Sequence, residues 1–221
     1  MHEDNQLRLE HYFNSVLRVA MYTVLPLIGL VVWVIAIPIL LYGGVMSNLD
    51  DAQNAFQVLF IFSLPMLLFF VMFPLLMEKR KKITLQDLGL KFEVNKKNIV
   101  LLIINLGLVV YSFYRMITSG GDLQRIIPVL IQLCVIGISE EVLCRGVIYY
   151  EIQKIVNKDI LCIIISSLIF GFIFHSGDSD ITNLLVRVPL GLLFGSIRHY
   201  TGNVYNSIVM HTWYNALVIT L

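Results

Sequence analysis

Apolar residues recur in long stretches near 19–43, 56–77, 98–117, 126–152, 159–176, 181–198 and 203–221, separated by short polar punctuation. A helix needs about 20 predominantly apolar residues to cross a bilayer. The pattern therefore predicts an all-α fold, a polytopic transmembrane helical bundle of about seven spans. The fourth and sixth stretches carry charges. The fifth and sixth are short and adjacent, a place where a re-entrant piece would fit. Before the first stretch, residues 1–17 are polar and of mixed charge. That stretch is too long for a signal-peptide core and lacks a small-residue cleavage pattern, so it is expected to stay as a span. In the sixth, Gly191-Leu-Leu-Phe-Gly195 forms a GxxxG pattern, read as tight packing inside the bundle rather than as a dimer contact.

Composition turns this pattern into a class. The 221 residues are 57% hydrophobic and 14% charged, with mean hydropathy +0.80. Soluble domains are roughly 45–50% apolar and about 25% charged, so this is an integral membrane protein with no room for a separate soluble domain. The expected partners are the lipid bilayer and a membrane-associated peptide or protein, not nucleic acid; nothing in the sequence sets the oligomeric state. The net charge of +1 conceals an asymmetry: residues 78–97 hold Lys79, Arg80, Lys81, Lys82, Lys91, Lys96 and Lys97. The positive-inside rule places that loop in the cytoplasm. Counting outward puts the N-terminus, Lys154, Lys158 and residues 198–203 inside, and the acidic Asn48–Asp51 loop and His175–Asp180 outside. A bacterial plasma membrane is the expected location. Cys134, Cys144 and Cys162 lie in apolar runs without ligand spacing and read as small core hydrophobes. Residues 1–97 form an N-terminal region with two spans and the basic loop; 98–221 form the core that carries the chemistry.

That chemistry starts with Glu140, Glu141 and Arg145 in the fourth stretch. A charge at the bilayer centre costs about 2.5–3.5 kcal/mol or more, so an intramembrane cluster is a functional-site candidate by default. Glu141 and Arg145 are four apart and share a helix face, while Glu140 is rotated by about 100°. This spacing predicts a Glu141–Arg145 pair that leaves Glu140 free; the plain structural alternative is an ion pair locking two helices. Of five histidines, His2 and His11 belong to the polar N-terminus and His199 to a turn. His175 closes the fifth stretch, and His211 shares a face of the seventh with Asn215. Counting from the turn near Val156, Glu140 and His175 come within about 5 Å of the same depth at 1.5 Å per residue. Arg187 would serve as a countercharge to a glutamate, a snorkelling cation or an anion binder.

Glu-Glu-x-x-x-Arg on one membrane helix, a histidine after a Phe-Gly-containing helix and a late His-x-x-x-Asn resemble the CAAX-protease and bacteriocin-processing family, also called Abi or type II CAAX endopeptidases. The matching positions are Glu140, Glu141, Arg145, His175, His211 and Asn215, all within 139–215. The segment Ile83-Thr-Leu-Gln-Asp-Leu-Gly-Leu90 is similar to one often found upstream of that core. One departure stands out. The family places an aromatic four residues before the histidine, where this chain has Gly171; Phe170 is one residue too early. Either the helix accommodates an extra residue, with Phe170 as the equivalent, or the aromatic is dispensable.

The resemblance implies an intramembrane endopeptidase in which Glu140 activates a water beside His175. Glu141, paired to Arg145, would orient the site, and His211 and Asn215 would stabilise the oxyanion. A zinc-dependent version would use Glu140, His175 and His211 as ligands; the expectation is a metal-free reaction. Family members process prenylated proteins or, in bacteria, bacteriocin and signalling peptides, some with roles in self-immunity. Two other classes compete: a non-catalytic scaffold or regulator, which would usually lack some of the six residues, and a proton-coupled transporter, which predicts an inverted repeat not found here.

Overall fold

The computed structural model describes residues 2–46, 54–118 and 123–220, apart from the side chains of residues 2–5, 7, 8, 11, 123, 125 and 220. The expected solvation of His2 and His11 and the acidic Asn48–Asp51 loop lie outside the described residues. The described residues form helices and no strand: α1 (His2–Tyr42), α2 (Ala55–Arg80), α3 (Lys96–Thr118), α4 (123–153), α5 (Asp159–Phe174), α6 (Asp180–Thr201) and α7 (Tyr205–Thr220).

Seven helices match the seven apolar stretches, but the spans differ. Among the described residues, five are long and apolar enough to cross a membrane: Tyr12–Tyr42 within α1, α2, α3, Ile126–Gln153 within α4, and α6. This makes the chain a multi-pass membrane protein. The charged fourth and sixth stretches are thus full-length. α5 is apolar but shorter, because the chain leaves the helix at His175 and turns straight into α6. α1 starts far earlier than the apolar stretch, since Leu9, Tyr12, Phe13 and Val16 continue a helical apolar spacing through the polar N-terminus.

α4 is the most enclosed of the five long helices. Around its second half gather Leu143, Val147, Ile148, Tyr149 and Ile152, with Tyr22 of α1, Phe70 of α2 and Ile163 of α5. α7 packs on α3 and α4, and α6 on α5 and α7. The three cysteines are free thiols, two of them buried. The GxxxG pair does what tight packing requires: a Cβ on Gly191 would stand 3.0 Å from Ser167 Cβ, and one on Gly195 would stand 3.0 Å from Ile163 Cγ2. Both glycines face α5.

Two polar features fix the end of the bundle that carries the basic loop. Buried Glu78 accepts from Tyr22 and from Lys81, while buried Glu151 accepts from Arg18 at 2.9 Å and from Lys154 at 2.9 Å. These carboxylates tie α1, α2 and α4 together. The loop 83–90 is closed by a reciprocal cap: Thr84 N and Oγ1 donate to Asp87 Oδ2 at 2.8 and 2.6 Å, and Asp87 N donates to Thr84 Oγ1. The Thr84 hydroxyl and amide hold the Asp87 carboxyl below its usual range. Beyond the cap, Leu88 inserts into the core and Gly89 adopts φ +68°.

If the small residues serve the α5–α6 contact, Gly191→Ala will cost about 1–3 kcal/mol by overpacking. Gly107→Ala, whose Cβ would meet nothing within 4 Å, will leave stability unchanged or raise it by up to about 1 kcal/mol. Thermal unfolding in detergent compares the two; equal midpoints would remove the packing role.

Candidate active site

Glu140 and Glu141 close the regular part of α4, and the next residues, Val142–Ile148, form a wide π-type turn. Such turns are frequent at functional sites. Glu141 and Arg145 are fully buried and Glu140 is nearly so. The Glu141–Arg145 pair is present, with Arg145 Nε 3.6 Å from Glu141 Oε2. That distance exceeds a hydrogen bond. The closer partner of Glu141 is His211, whose Nδ1 lies 3.1 Å from Oε1.

Local packing explains the approach of His211. Gly137 lies one turn before Glu141, and a Cβ there would fall 2.5 Å from Thr212 Oγ1 and 3.2 Å from Ile208 O. Only the missing side chain lets α7 come this near α4. Phe194 of α6 then stacks on the His211 ring, centroids 4.7 Å apart and 16° from parallel. With Nδ1 turned to Glu141, His211 Nε2 faces Glu140 Oε2 at 3.8 Å.

His175 reaches the same oxygen from the other side, its Nε2 3.7 Å from Glu140 Oε2. The end of α5 is a second wide turn, Phe170–Phe174. It absorbs the extra residue between Phe170 and His175, and the Phe170 ring meets His175 edge-on at 4.8 Å and His211 at 5.7 Å. Arg145 lies over the same ring, its Cζ 5.3 Å from the centroid. After His175 the backbone is tied by Asn183 Nδ2 donating to His175 O at 3.1 Å. Arg187 pairs with Asp178 at 2.8 Å, which ties the turn after His175 to α6. Asn215 is half-buried one turn beyond His211, its Nδ2 enclosed and without a hydrogen-bond partner in the protein.

The structure therefore links Glu140, Glu141, Arg145, His175 and His211 through ion-pair contacts and sets Asn215 one turn beyond His211 with its Nδ2 unbonded. Glu140 Oε2 and His175 Nε2 are buried atoms that no protein group hydrogen-bonds. Zinc would need its ligands converging at about 2.0–2.2 Å from one point. Among the described residues no group of three or more histidine, cysteine, aspartate or glutamate side chains is so disposed.

The family model for type II CAAX prenyl endopeptidase, Rce1-like, matches residues 122–217. These residues form an Rce1-like domain. No curated protein and no solved structure matches the chain significantly. All six candidate residues fall inside the Rce1-like domain.

Several contacts in the Rce1-like domain were not foreseen. Ser166 Oγ accepts from Arg145 Nη1 at 2.9 Å, and Phe194 orients His211. A faint signal existed for the first: two serines, Ser166 and Ser167, interrupt an Ile- and Leu-rich helix, as small polar residues do where membrane helices meet. Phe194 gave none, being one apolar residue among many.

Ser166→Ala will leave the buried Arg145 Nη1 without its hydrogen bond and cost about 1–3 kcal/mol. The unfolding midpoint of the purified protein reads this. An unchanged midpoint would mean that Glu141 and Phe170 suffice to hold the guanidinium.

Proposed function

We propose that this chain is an intramembrane endopeptidase that hydrolyses a peptide bond in a membrane-associated peptide or protein by a glutamate-activated water. The observation that carries the reading is the convergence on Glu140 Oε2 of His175 Nε2 at 3.7 Å and His211 Nε2 at 3.8 Å. These separations are too long for direct hydrogen bonds and suit groups that act together on a third. The match to an endopeptidase family over 122–217 supports the same class of reaction.

In this reading Glu140 removes a proton from water as the water oxygen attacks the substrate carbonyl carbon. His175 orients that water. The carbonyl oxygen becomes an oxyanion facing His211 Nε2 and the Asn215 amide. One such donor is worth about 3–4 kcal/mol in other hydrolases. Collapse of the tetrahedral centre breaks the C–N bond, and Glu140 returns its proton to the leaving amine. Glu141 accepts from His211 Nδ1, which turns Nε2 to the reaction, and a ring carrying both protons donates Nε2–H to the oxyanion; this gives Glu141 a more direct role than pairing with Arg145. Substrates of this kind include bacterial bacteriocin and signalling peptides, whose processing or counteraction would be the biological task.

Comparing the peptides of membranes that contain the active chain with those carrying Glu140→Gln tests this. Products present with the chain will fall by about 100-fold or more in the variant, while exposed Glu10→Gln changes nothing. Equal product at equal protein levels would end the protease reading in favour of a scaffold. In the purified system, activity will survive exhaustive chelation; loss on chelation with recovery on adding zinc would instead establish the metal-dependent form.

A further inference from the structure

We infer that Arg198 is a positioning residue of the site, latching the wide turn of α4 by donating to the main-chain oxygen of the arginine inside it. In a regular α-helix Tyr149 N would bond Arg145 O. Here Tyr149 N bonds Cys144 O and Gly146 O instead. The Arg145 carbonyl thus gives up Tyr149 N as its donor in a part of the protein where its neighbours are fully buried, and buried carbonyls need their hydrogen bonds met. Arg198, in the last turn of α6, supplies the replacement: its Nε donates to Arg145 O at 3.2 Å.

The rest of the Arg198 side chain is held on both sides. Its Cζ lies 4.5 Å from the centroid of the Tyr149 ring. Its Nη2 lies 3.1 Å from where a Cβ on Gly89 would stand, which ties the guanidinium to the capped loop 83–90. That loop also touches the wide turn directly, since Leu88 O lies 3.4 Å from the Cβ position of Gly146. It is anchored to the start of α7 as well: Gly89 O accepts from Val204 N at 3.0 Å, and Leu90 O from Tyr205 Oη at 2.8 Å. One cation therefore joins α4, α6 and the loop behind the site, and its hydrogen bond ends on the backbone of Arg145.

The consequence for the site passes through Arg145. Its side chain reaches Ser166, the Phe170 ring and Glu141, and Glu141 in turn holds His211. Releasing the Arg145 carbonyl lets the wide turn relax toward ordinary α-helical spacing, which rotates Arg145 relative to Glu141. Arg198 touches none of the groups that face Glu140, so its effect falls on geometry and not on substrate binding. The effect on catalysis rests on the endopeptidase reading; the effect on the turn does not.

The test uses the full chain in detergent or vesicles, as Arg198→Ala and Arg198→Lys. Hydrogen exchange followed by mass spectrometry will show faster exchange confined to residues 142–150 in Arg198→Ala. Arg198→Lys, which keeps a donor, will restore part of the protection. On a peptide cleaved by the wild type, Arg198→Ala will lower kcat by about 10- to 100-fold with KM within about twofold, and Arg198→Lys will recover part of kcat. Unchanged exchange at 142–150 overturns the latch. So does faster exchange spread equally over all helices in both variants, which marks general destabilisation. Faster local exchange with unchanged kcat overturns the positioning role. If the wild type cleaves nothing while local exchange still responds, the endopeptidase reading fails and the latch stands.

Discussion

Ionised side chains placed midway along an apolar helix have no water to turn to, and that need shapes the surroundings of α4. Arg145 and Glu141 are fully buried, and a buried charge persists only if protein groups replace its hydration. The replacements come from every neighbour: a hydroxyl from α5, an imidazole from α7, an aromatic face from the end of α5, and close backbone approach from α6 at Gly191, where a Cβ would stand 3.2 Å from Arg145 Nη2. Glycines at the contact points are a corollary. A side chain at Gly137 or Gly191 would hold the solvating helix away from the charge it serves.

The two wide turns answer a second demand. A regular helix offers side chains only at 100° steps, and these steps alone do not bring histidines from two other helices to one oxygen of Glu140. The turn at Val142–Ile148 resets the face of α4 directly after the glutamates, and that at Phe170–Phe174 resets α5 directly before His175. At or beside each, one main-chain carbonyl accepts from a side chain of α6: Arg145 O from Arg198 and His175 O from Asn183. The site is thus built from irregular backbone set within a bundle of regular helices.

Much of this was legible from residue order. Hydropathy located every helix, because apolar runs in a membrane chain have few alternatives. Glu140, Glu141, Arg145, His175 and His211 announced themselves because each is costly where it stands. The limits of the reading were also physical. Helix faces were reckoned at 3.6 residues per turn, so neither wide turn was foreseen, and the one-residue mismatch between Phe170 and His175 stayed an ambiguity until the backbone resolved it. The partner of Arg187 is set by a turn that brings Asp178 to it, and spacing alone favoured no partner. Glu78 and Glu151 stand beside basic residues in the sequence, with nothing in their spacing to mark them as buried; the fold makes them ties between α1, α2 and α4. Ser166 and Phe194 belong to residue types too common in such helices to be singled out.

The brevity of α5 has a consequence for the lipid around it. Asp159–Phe174 rises about 24 Å at 1.5 Å per residue, while the hydrocarbon core measures about 30 Å. Where such a helix meets the bilayer, lipid must thin locally or polar chain ends must be drawn below the headgroups. His175 stands at one of those ends, so the mismatch falls on the histidine that faces Glu140. If α5 crosses the bilayer, acyl-chain length becomes a variable of the site itself. A thick bilayer presses apolar tails toward the His175 turn, and a thin one leaves that turn among water and headgroups.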